Sequence, residues 1–581
     1  MSQEGIGRGG GALFRGQGQD GLLHRAFLRG EGFSAEDVRR SPVIGIATTA
    51  SELNPCNAGL PSLAEEVKAG VRAAGGLPLE FPTISISEPF SRPSSMYLRN
   101  LLSMDVEEMV RASPIDGVVL LGGCDKTIPA QIMGALSAGL PALVVAAGPR
   151  PVSCFGDNPE FTVDDVWPLC EQRRVGALDD GAWERLEGSV NVGVGTCNVM
   201  GTATTMAAVA EVLGFALPGS TLPAAASQAR RAVARDTGEA IVAAVGRGEV
   251  PGGLVTMRSL ENALRAITAM GGSTNAVIHL EAIAGRAGLR IGQERLDEWS
   301  RTTPVLADVR PGGRYLLEQL EQAGGVVEVL RRLGERIHPE AVAAGGRTWG
   351  EVLANTPPAD DHPALRSVQD PVAPRGALRL MRGSLAPEGC VMKLAAGAPA
   401  RHRARVVVFD GLEDLHARID DPDLDIDAGT VLVLRGLGMV GAPGMPEVGH
   451  LPIPARLHRQ GVRDMVRISD ARMSGTSTGS VVLHVSPESA VGGPLAQLRT
   501  GDEVVIDAEA GELNHCVPEE EFAAREPVAP PPLPARGFAR LQAQHALQPH
   551  EGCDLDFLVA VPDATERMRS PEPTGQMKER A

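Results

Sequence analysis

Three times in its first two hundred residues the chain runs from a short apolar stretch into a cysteine-bearing loop and out into a helix signal. Pro42-Val-Ile-Gly-Ile-Ala47 leads to Ser51-Glu-Leu-Asn-Pro-Cys-Asn57. Gly117-Val-Val-Leu-Leu121 leads to Gly122-Gly-Cys-Asp-Lys-Thr-Ile-Pro-Ala130, and Ser189-Val-Asn-Val-Gly-Val194 to Gly195-Thr-Cys-Asn-Val-Met-Gly-Thr202. Gly117–Leu121 is all apolar and reads as a buried parallel strand, the other two runs read as strands, and the alternation with helices predicts a doubly wound α/β domain. In such a sheet the loops after the strands gather on one edge, where ligands bind.

The stretches between fit this scheme. A helix is predicted from about Pro61, with Leu63, Val67, Val71 and Ala74 on one face and Gly75-Gly76 as its stop. Leu77 to Ile86 reads as a strand ending at Ser87-Glu88-Pro89, Ser94 to Ala112 as a helix, and Ala142 to Ala146 as a further strand. Residues 160–187, 261–287 and 311–355 read as mostly helical, and the Gly-rich residues 1 to about 20 as a loosely docked arm.

The texture changes between 357 and 375, where Pro357-Pro358, Asp360-Asp361, Pro363, Pro371 and Pro374 cluster. The division is therefore an α/β domain over 1–375, an all-β barrel-like domain over 376–565 and a disordered tail over 566–581. Strands are predicted at Ala404–Phe409, Thr430–Leu434, Ser480–Val485 and Glu503–Ile506, and a last helix at Gly537 to Ala546. The segment Gly511 to Glu521 is polar and carries no apolar strand pattern.

A net charge of -17 argues against nucleic acid or an anionic membrane as partner. No apolar run approaches the roughly 18 residues of a membrane span, and no signal-peptide pattern opens the chain, so a soluble cytoplasmic protein is expected. Eight cysteines in 581 residues are too sparse for a disulfide scaffold and suit a compartment where thiolates bind metal.

Cys56, Cys124 and Cys197 share one context, a loop just ahead of a helix N-terminus, whose partial positive charge lowers thiol pKa. Three thiolates suit an iron–sulfur cluster with one iron open, or a catalytic zinc; small buried cysteines filling such loops are the plain alternative. Cys154, Cys170, Cys390, Cys516 and Cys553 lack that context and read as packing residues. Asp125, Glu88 and Glu447 offer hard oxygen ligands suited to Mg²⁺ or Mn²⁺, or are solvated acids. Lys126 beside Asp125 could be a base of depressed pKa, a carboxylated metal ligand, or an ion-pair partner. Ser474, between Met473 and Gly475, could be a nucleophile, an alkoxide base beside a Lewis acid, or a turn serine. No accompanying Ser-His-Asp arrangement supports hydrolase chemistry.

Together these motifs resemble those of the dihydroxy-acid and sugar-acid dehydratase family (IlvD/Edd). The matching pieces are Asn54–Asn57, Gly122–Ala130, Gly195–Met206, Gly271-Gly-Ser-Thr-Asn-Ala-Val-Ile-His-Leu280, Gly441-Ala-Pro-Gly-Met-Pro-Glu-Val-Gly449 and Ser469-Asp-Ala-Arg-Met-Ser-Gly-Thr476. The resemblance implies that Cys56, Cys124 and Cys197 hold a [2Fe-2S] cluster, and that Glu88, Asp125, carboxylated Lys126 and Glu447 bind or surround Mg²⁺. It further implies that Ser474 is the catalytic base, in a homodimer or homotetramer acting on a small polyhydroxy acid. Phe14–Asp20, Ser87-Glu-Pro-Phe-Ser-Arg-Pro93, Arg99-Asn100 and Gly552-Cys-Asp-Leu-Asp-Phe557 resemble the aldonate branch, such as arabinonate and xylonate dehydratases. A branched-chain dihydroxy-acid dehydratase is the alternative within the family, and a non-catalytic iron–sulfur sensor the alternative outside it. Pro89-Phe90 departs from the small residue the resemblance leads one to expect there.

Overall fold

The structure, a computed structural model, describes residues 10–376, 378–393, 401–477 and 479–560. The expected disordered tail lies outside the described residues. The arm does not remain loose where it is described. Gly10–Arg15 and Gln19–Gly30 are helices α1 and α2, and Phe14 is buried while its carbonyl accepts from the Arg25 guanidinium at 2.5 Å.

The N-terminal half is built on a four-stranded parallel sheet, order β2-β1-β3-β4, with β1 Val43–Thr48, β2 Leu77–Pro82, β3 Gly117–Gly122 and β4 Ala142–Ala146. Ile44 pairs with Pro78 on one side and Gly117 on the other, and Val118 pairs with Ala142. β1, β3 and β4 are buried throughout, which is why they read as unbroken apolar runs. One face, with Ile44, Ile46, Val119 and Val145, packs on α3 (Leu60–Ala73) and α9 (Gln228–Arg247). The other, with Val43, Val118, Leu120 and Val144, packs on α4 (Ser95–Ala112) and α5 (Thr127–Ala138). The Ser94 hydroxyl accepts from the Met96 amide and starts α4; Gly139, at φ 74°, ends α5.

The predicted strand Ser189–Val194 is not one. Asp180–Val190 is helix α7, preceded by a two-stranded hairpin (β5 Ser153–Phe155, β6 Asn158–Phe161) and α6 (Val166–Arg174). Val192 and Val194 are exposed, and only Thr196 makes a bridge, to Pro149 just beyond β4. Further on, α8 (Thr202–Val212), α10 (Met257–Ala269) and α11 (Asn275–Arg286) complete the layer over the sheet, and β7 Val342–Ala343 with β8 Arg347–Thr348 interrupts the helical 311–355 stretch.

Eight strands between Leu378 and His515 form a closed barrel, β10-β14-β13-β12-β11-β15-β16-β9. Its strands are β9 Leu378–Gly383, β10 Ala386–Lys393, β11 Arg401–Asp410, β12 Val431–Arg435, β13 Arg467–Ser469, β14 Val481–Ser486, β15 Glu503–Asp507 and β16 Glu512–His515. Two features depart from the all-β expectation. β11 to β14 run parallel to one another, and helices such as Gly411–Arg418 occupy their crossovers. The polar Gly511–Glu521 segment does contain a strand: β16 buries Leu513, pairs with β15 and closes onto β9.

Candidate active site

The C-terminal ends of β1, β2 and β3 deliver their loops to one edge of the sheet, and loops of the barrel meet them there. Gly123 sets the spacing in the β3–α5 loop. A Cβ on it would lie 2.6 Å from that of Ala147, 3.0 Å from the Asn57 Oδ1 and 3.1 Å from the Cys56 carbonyl oxygen. Only glycine lets the Cys56 loop come that close, and the Cys56 thiol is near enough to Cys124 to raise its pKa. The Glu88 amide donates to the Cys124 Sγ at 3.3 Å.

Cys197 arrives without the strand that was expected to carry it. The Thr196 amide donates to the Gly148 carbonyl at 2.9 Å and the Arg150 amide to the Thr196 carbonyl at 3.0 Å, extending the sheet by a single bridge. The Gly195 amide reaches the Pro55 carbonyl at 3.4 Å, tying this loop to that of Cys56. Cys197 is close enough to Cys124, Asp125 and Glu447 for each to raise its pKa. The helix-terminus argument for depressed thiol pKa values does not hold here for Cys124 or Cys197. The Cys124 thiol is raised by its contact with Cys56 and by burial, and that of Cys197 by burial to about 12, with Arg150 opposing. Thiols so placed become ligands when a cation replaces their protons. Of the other five cysteines, Cys390 and Cys553 are buried as packing residues should be, whereas Cys154 and Cys516 are exposed.

Beside the thiols lies a charge cluster centred on Lys126, which is fully buried. Its Nζ is 2.8 Å from the Glu447 Oε1, 2.9 Å from the Glu88 Oε2 and 3.5 Å from the Asp125 Oδ2. Oxygens of these three carboxylates lie within 4.8 Å of one another, close enough to share a metal ion. Burial and Arg472 pull the Lys126 pKa down, but Glu447, Glu88 and Asp125 outweigh them and leave it raised, opposite to what a lysine base needs. The Glu88 carboxyl is held at about 2: burial opposes ionisation, but Lys126, Arg472 and the Ser95 hydroxyl prevail. Burial moves Asp125 and Glu447 the other way. The three carboxylates thus share two cations, Lys126 and Arg472, and remain short of positive charge. The three carboxylates fit a hard divalent ion, and Cys124, with Cys56 and Cys197 near it, offers softer donors beside them. With the ammonium at the centre of the carboxylates, a divalent ion must displace it, unless the amine gives up its proton and adds CO₂ to become a carbamate, a further oxygen donor.

Four residues that the motifs contained, but to which no role had been given, hold this cluster together. The Glu447 Oε1 accepts from the Arg472 Nη1 at 2.7 Å and from the Asn275 Nδ2 at 2.7 Å, besides Lys126. Arg472 also donates to the Met445 carbonyl at 2.7 Å, in a turn where Met445 itself has φ 48°. Asn275 reaches the Met473 carbonyl at 3.3 Å and the Thr202 Oγ1 at 3.1 Å, and Thr202 bonds Ser273 at 2.9 Å.

Ser474 sits at the mouth of the site, half-buried. A Cβ on the adjoining Gly475 would lie 2.8 Å from the Thr202 amide nitrogen, so the serine turn packs on the N-terminus of α8 directly after the Cys197 loop. That end is capped by Gly201, without a side-chain acceptor, and its partial positive charge favours an anion nearby. Arg99-Asn100 and Gly552–Phe557 are also brought together, but as a clasp. The Arg99 Nη2 donates to the Gly552 and Cys553 carbonyls at 2.9 and 2.7 Å, and the Asn100 Nδ2 to that of Cys553 at 2.9 Å.

Residues 41–352 match the dihydroxy-acid/6-phosphogluconate dehydratase N-terminal family and residues 363–553 its C-terminal counterpart. The chain belongs to this family of dehydratases. It is 46% identical over 546 residues to a 6-deoxy-6-sulfo-D-gluconate dehydratase of Pseudomonas putida, covering 93% of this chain and 94% of the relative. An L-arabonate dehydratase of Azospirillum brasilense is 45% identical over 557 residues, 93% of this chain and 95% of its own. A dihydroxy-acid dehydratase of Pyrobaculum neutrophilum stands further off, at 36% over 527 residues, 89% of this chain and 93% of its own. No helix among the described residues is long and apolar enough to cross a membrane.

Proposed function

We propose that this protein is a hydro-lyase that removes water from a sugar acid, an aldonate, to give a 2-keto-3-deoxy acid. The observation that carries the reading is the convergence of Glu88, Asp125 and Glu447 on the buried Lys126, with Cys124 of the same loop close to Cys56 and Cys197. Cys56, Cys124 and Cys197 would hold a [2Fe-2S] cluster, and Glu88, Asp125, Glu447 and a carboxylated Lys126 would hold or surround Mg²⁺. When bound, the two groups supply Lewis acidity, one toward the substrate carboxylate and C2 oxygen, the other toward the departing C3 oxygen.

The chain's own residues do the rest. Ser474, deprotonated to the alkoxide, takes the C2 proton onto Oγ, and the positive end of α8 favours that anionic form. Arg472 and Asn275 fix Glu447 from the barrel and from α11, so that both halves of the chain must be docked for the carboxylates to converge. Loss of the C2 proton and the C3 hydroxyl yields water and an enol, which tautomerises to the 2-keto acid. The aldonate reading rests on the higher identity to relatives named for sugar acids than to those named for dihydroxy acids. A cytoplasmic homo-oligomer completes the proposal; exposed Leu22, Leu23 and Phe27 on α2 offer an apolar face for a second copy.

The test is a substrate panel on anaerobically purified protein supplied with Mg²⁺, containing L-arabinonate, D-xylonate, 6-deoxy-6-sulfo-D-gluconate and 2,3-dihydroxyisovalerate. The expected result is 2-keto acid release from at least one sugar acid, with kcat/KM at least tenfold above that for the branched substrate. A preference for 2,3-dihydroxyisovalerate would assign the chain to amino-acid biosynthesis instead.

A further inference from the structure

Ser474 stands at the end of a hydrogen-bonded chain that begins at a residue from the other half of the molecule. Its Oγ is 2.8 Å from the Thr476 Oγ1 and accepts the Thr476 amide at 3.3 Å. The Thr476 Oγ1 in turn accepts from the indole Nε1 of Trp167, on α6, at 2.9 Å. Trp167 is 39% exposed, so an unconstrained indole would turn its nitrogen to water; here it turns inward.

The helix that carries it is held at both ends. Asp164 and Asp165, just before α6, pair with Arg310 at 3.4 and 2.5 Å, and the Arg310 carbonyl accepts the Met200 amide of the Cys197 loop at 2.8 Å. At the far end, the Arg174 Nη1 reaches the Asp420 Oδ2 of the barrel half at 2.8 Å.

Donor chemistry fixes the first link of the chain and leaves either hydroxyl able to donate in the second. An indole N–H can only donate, so the Thr476 oxygen accepts there and keeps its own hydrogen for another acceptor. The Ser474 Oγ is the only partner oxygen that Thr476 has among the described residues. Hydrogen bonds in series strengthen one another, so donation by Trp167 makes the Thr476 hydroxyl a better donor. Once Ser474 has lost its proton it receives two bonds, from the hydroxyl and from the amide of Thr476.

We propose that Trp167 is a positioning residue for the dehydration: its indole N–H holds the Thr476 hydroxyl as a donor to Ser474, so that Ser474 serves as the proton acceptor. This rests on Ser474 being the base.

The whole cluster-bearing protein tests it in two ways, one independent of turnover. With ¹⁵N-labelled tryptophan the chain gives four indole N–H signals, and Trp167→Phe identifies the one from Trp167. That signal should move in Thr476→Val, which removes its acceptor; if it stays, the hydrogen bond is absent and the proposal fails. In turnover, Trp167→Phe should lower kcat about three- to tenfold, the worth of one hydrogen bond, with KM changed less than about twofold. In a Thr476→Val background it should have no further effect, because Trp167 acts through Thr476. Additive losses, a change in KM alone, or an unchanged kcat would overturn the relay while leaving the Ser474 assignment standing. Substantial turnover by Ser474→Ala would overturn both.

Discussion

Each charged residue of the site is defined by what would happen if its neighbours were removed. Glu447 makes the point most clearly, since one oxygen accepts from Lys126, Arg472 and Asn275 at once. Arg472→Leu would leave it with a single full cation and free the Met445 turn, so Mg²⁺ dependence should be altered and kcat should fall by about two orders of magnitude, while visible absorption from the cysteine site persists. Ser474→Ala should likewise keep that absorption and lose turnover by a factor of about 10² to 10⁴, the range for a positioned base.

A different residue, His484, gives a pH test. It is buried on β14 at φ 58°, and burial followed by Arg472 lowers its pKa to about 3. The unfolded chain binds a proton there near 6.5 and the folded chain does not, so stability contributed by the neutral ring is lost as pH falls below 6.5. His484→Asn, which suits the left-handed backbone, should flatten the fall of stability by about 1.4 kcal/mol per pH unit between pH 6 and 4. Denaturant unfolding at stepped pH measures the slope; parallel slopes in variant and parent would contradict the assignment.

At the scale of elements, the sequence shows best what is buried on all sides. β1, β3 and β4 are apolar without interruption and have partners on both faces, so their pattern has one reading. Ser189–Val194 has the valines of a strand but no neighbour to pair with, and tertiary context left it outside the sheet with Val192 and Val194 in water. The opposite failure is β16, whose Glu512-Leu-Asn-His515 sequence is polar because only Leu513 faces inward. The three cysteine loops were legible as a group because each follows the same grammar, yet the third is held by one bridge and not by a strand. Arg472, Asn275 and Trp167 act through partners 25 to 309 residues away, which no local pattern discloses. The clasp at the C-terminus belongs to this scale too. Arg286 and Asp554, both fully buried, pair at 2.6 and 3.1 Å and lock the 552–554 turn to α11. Arg286→Ala should cost about 3–5 kcal/mol by stranding Asp554, lowering Tm while leaving turnover by the folded protein within about twofold.

Across the whole molecule, the N-terminal half supplies Cys56, Cys124, Cys197, Glu88 and Asp125, and the barrel half supplies Glu447, Arg472 and Ser474. The two halves meet in a site neither could complete. Sulfur and oxygen donors remain in separate places, with Cys124 and Asp125 adjacent in one loop so that the two kinds of ligand are held side by side. This arrangement makes the iron content the most direct test. Anaerobically purified protein should be brown and contain iron and acid-labile sulfide at about two each per chain, both lost in Cys124→Ser. Colourless protein free of iron, dehydrating a sugar acid at full rate, would contradict the account.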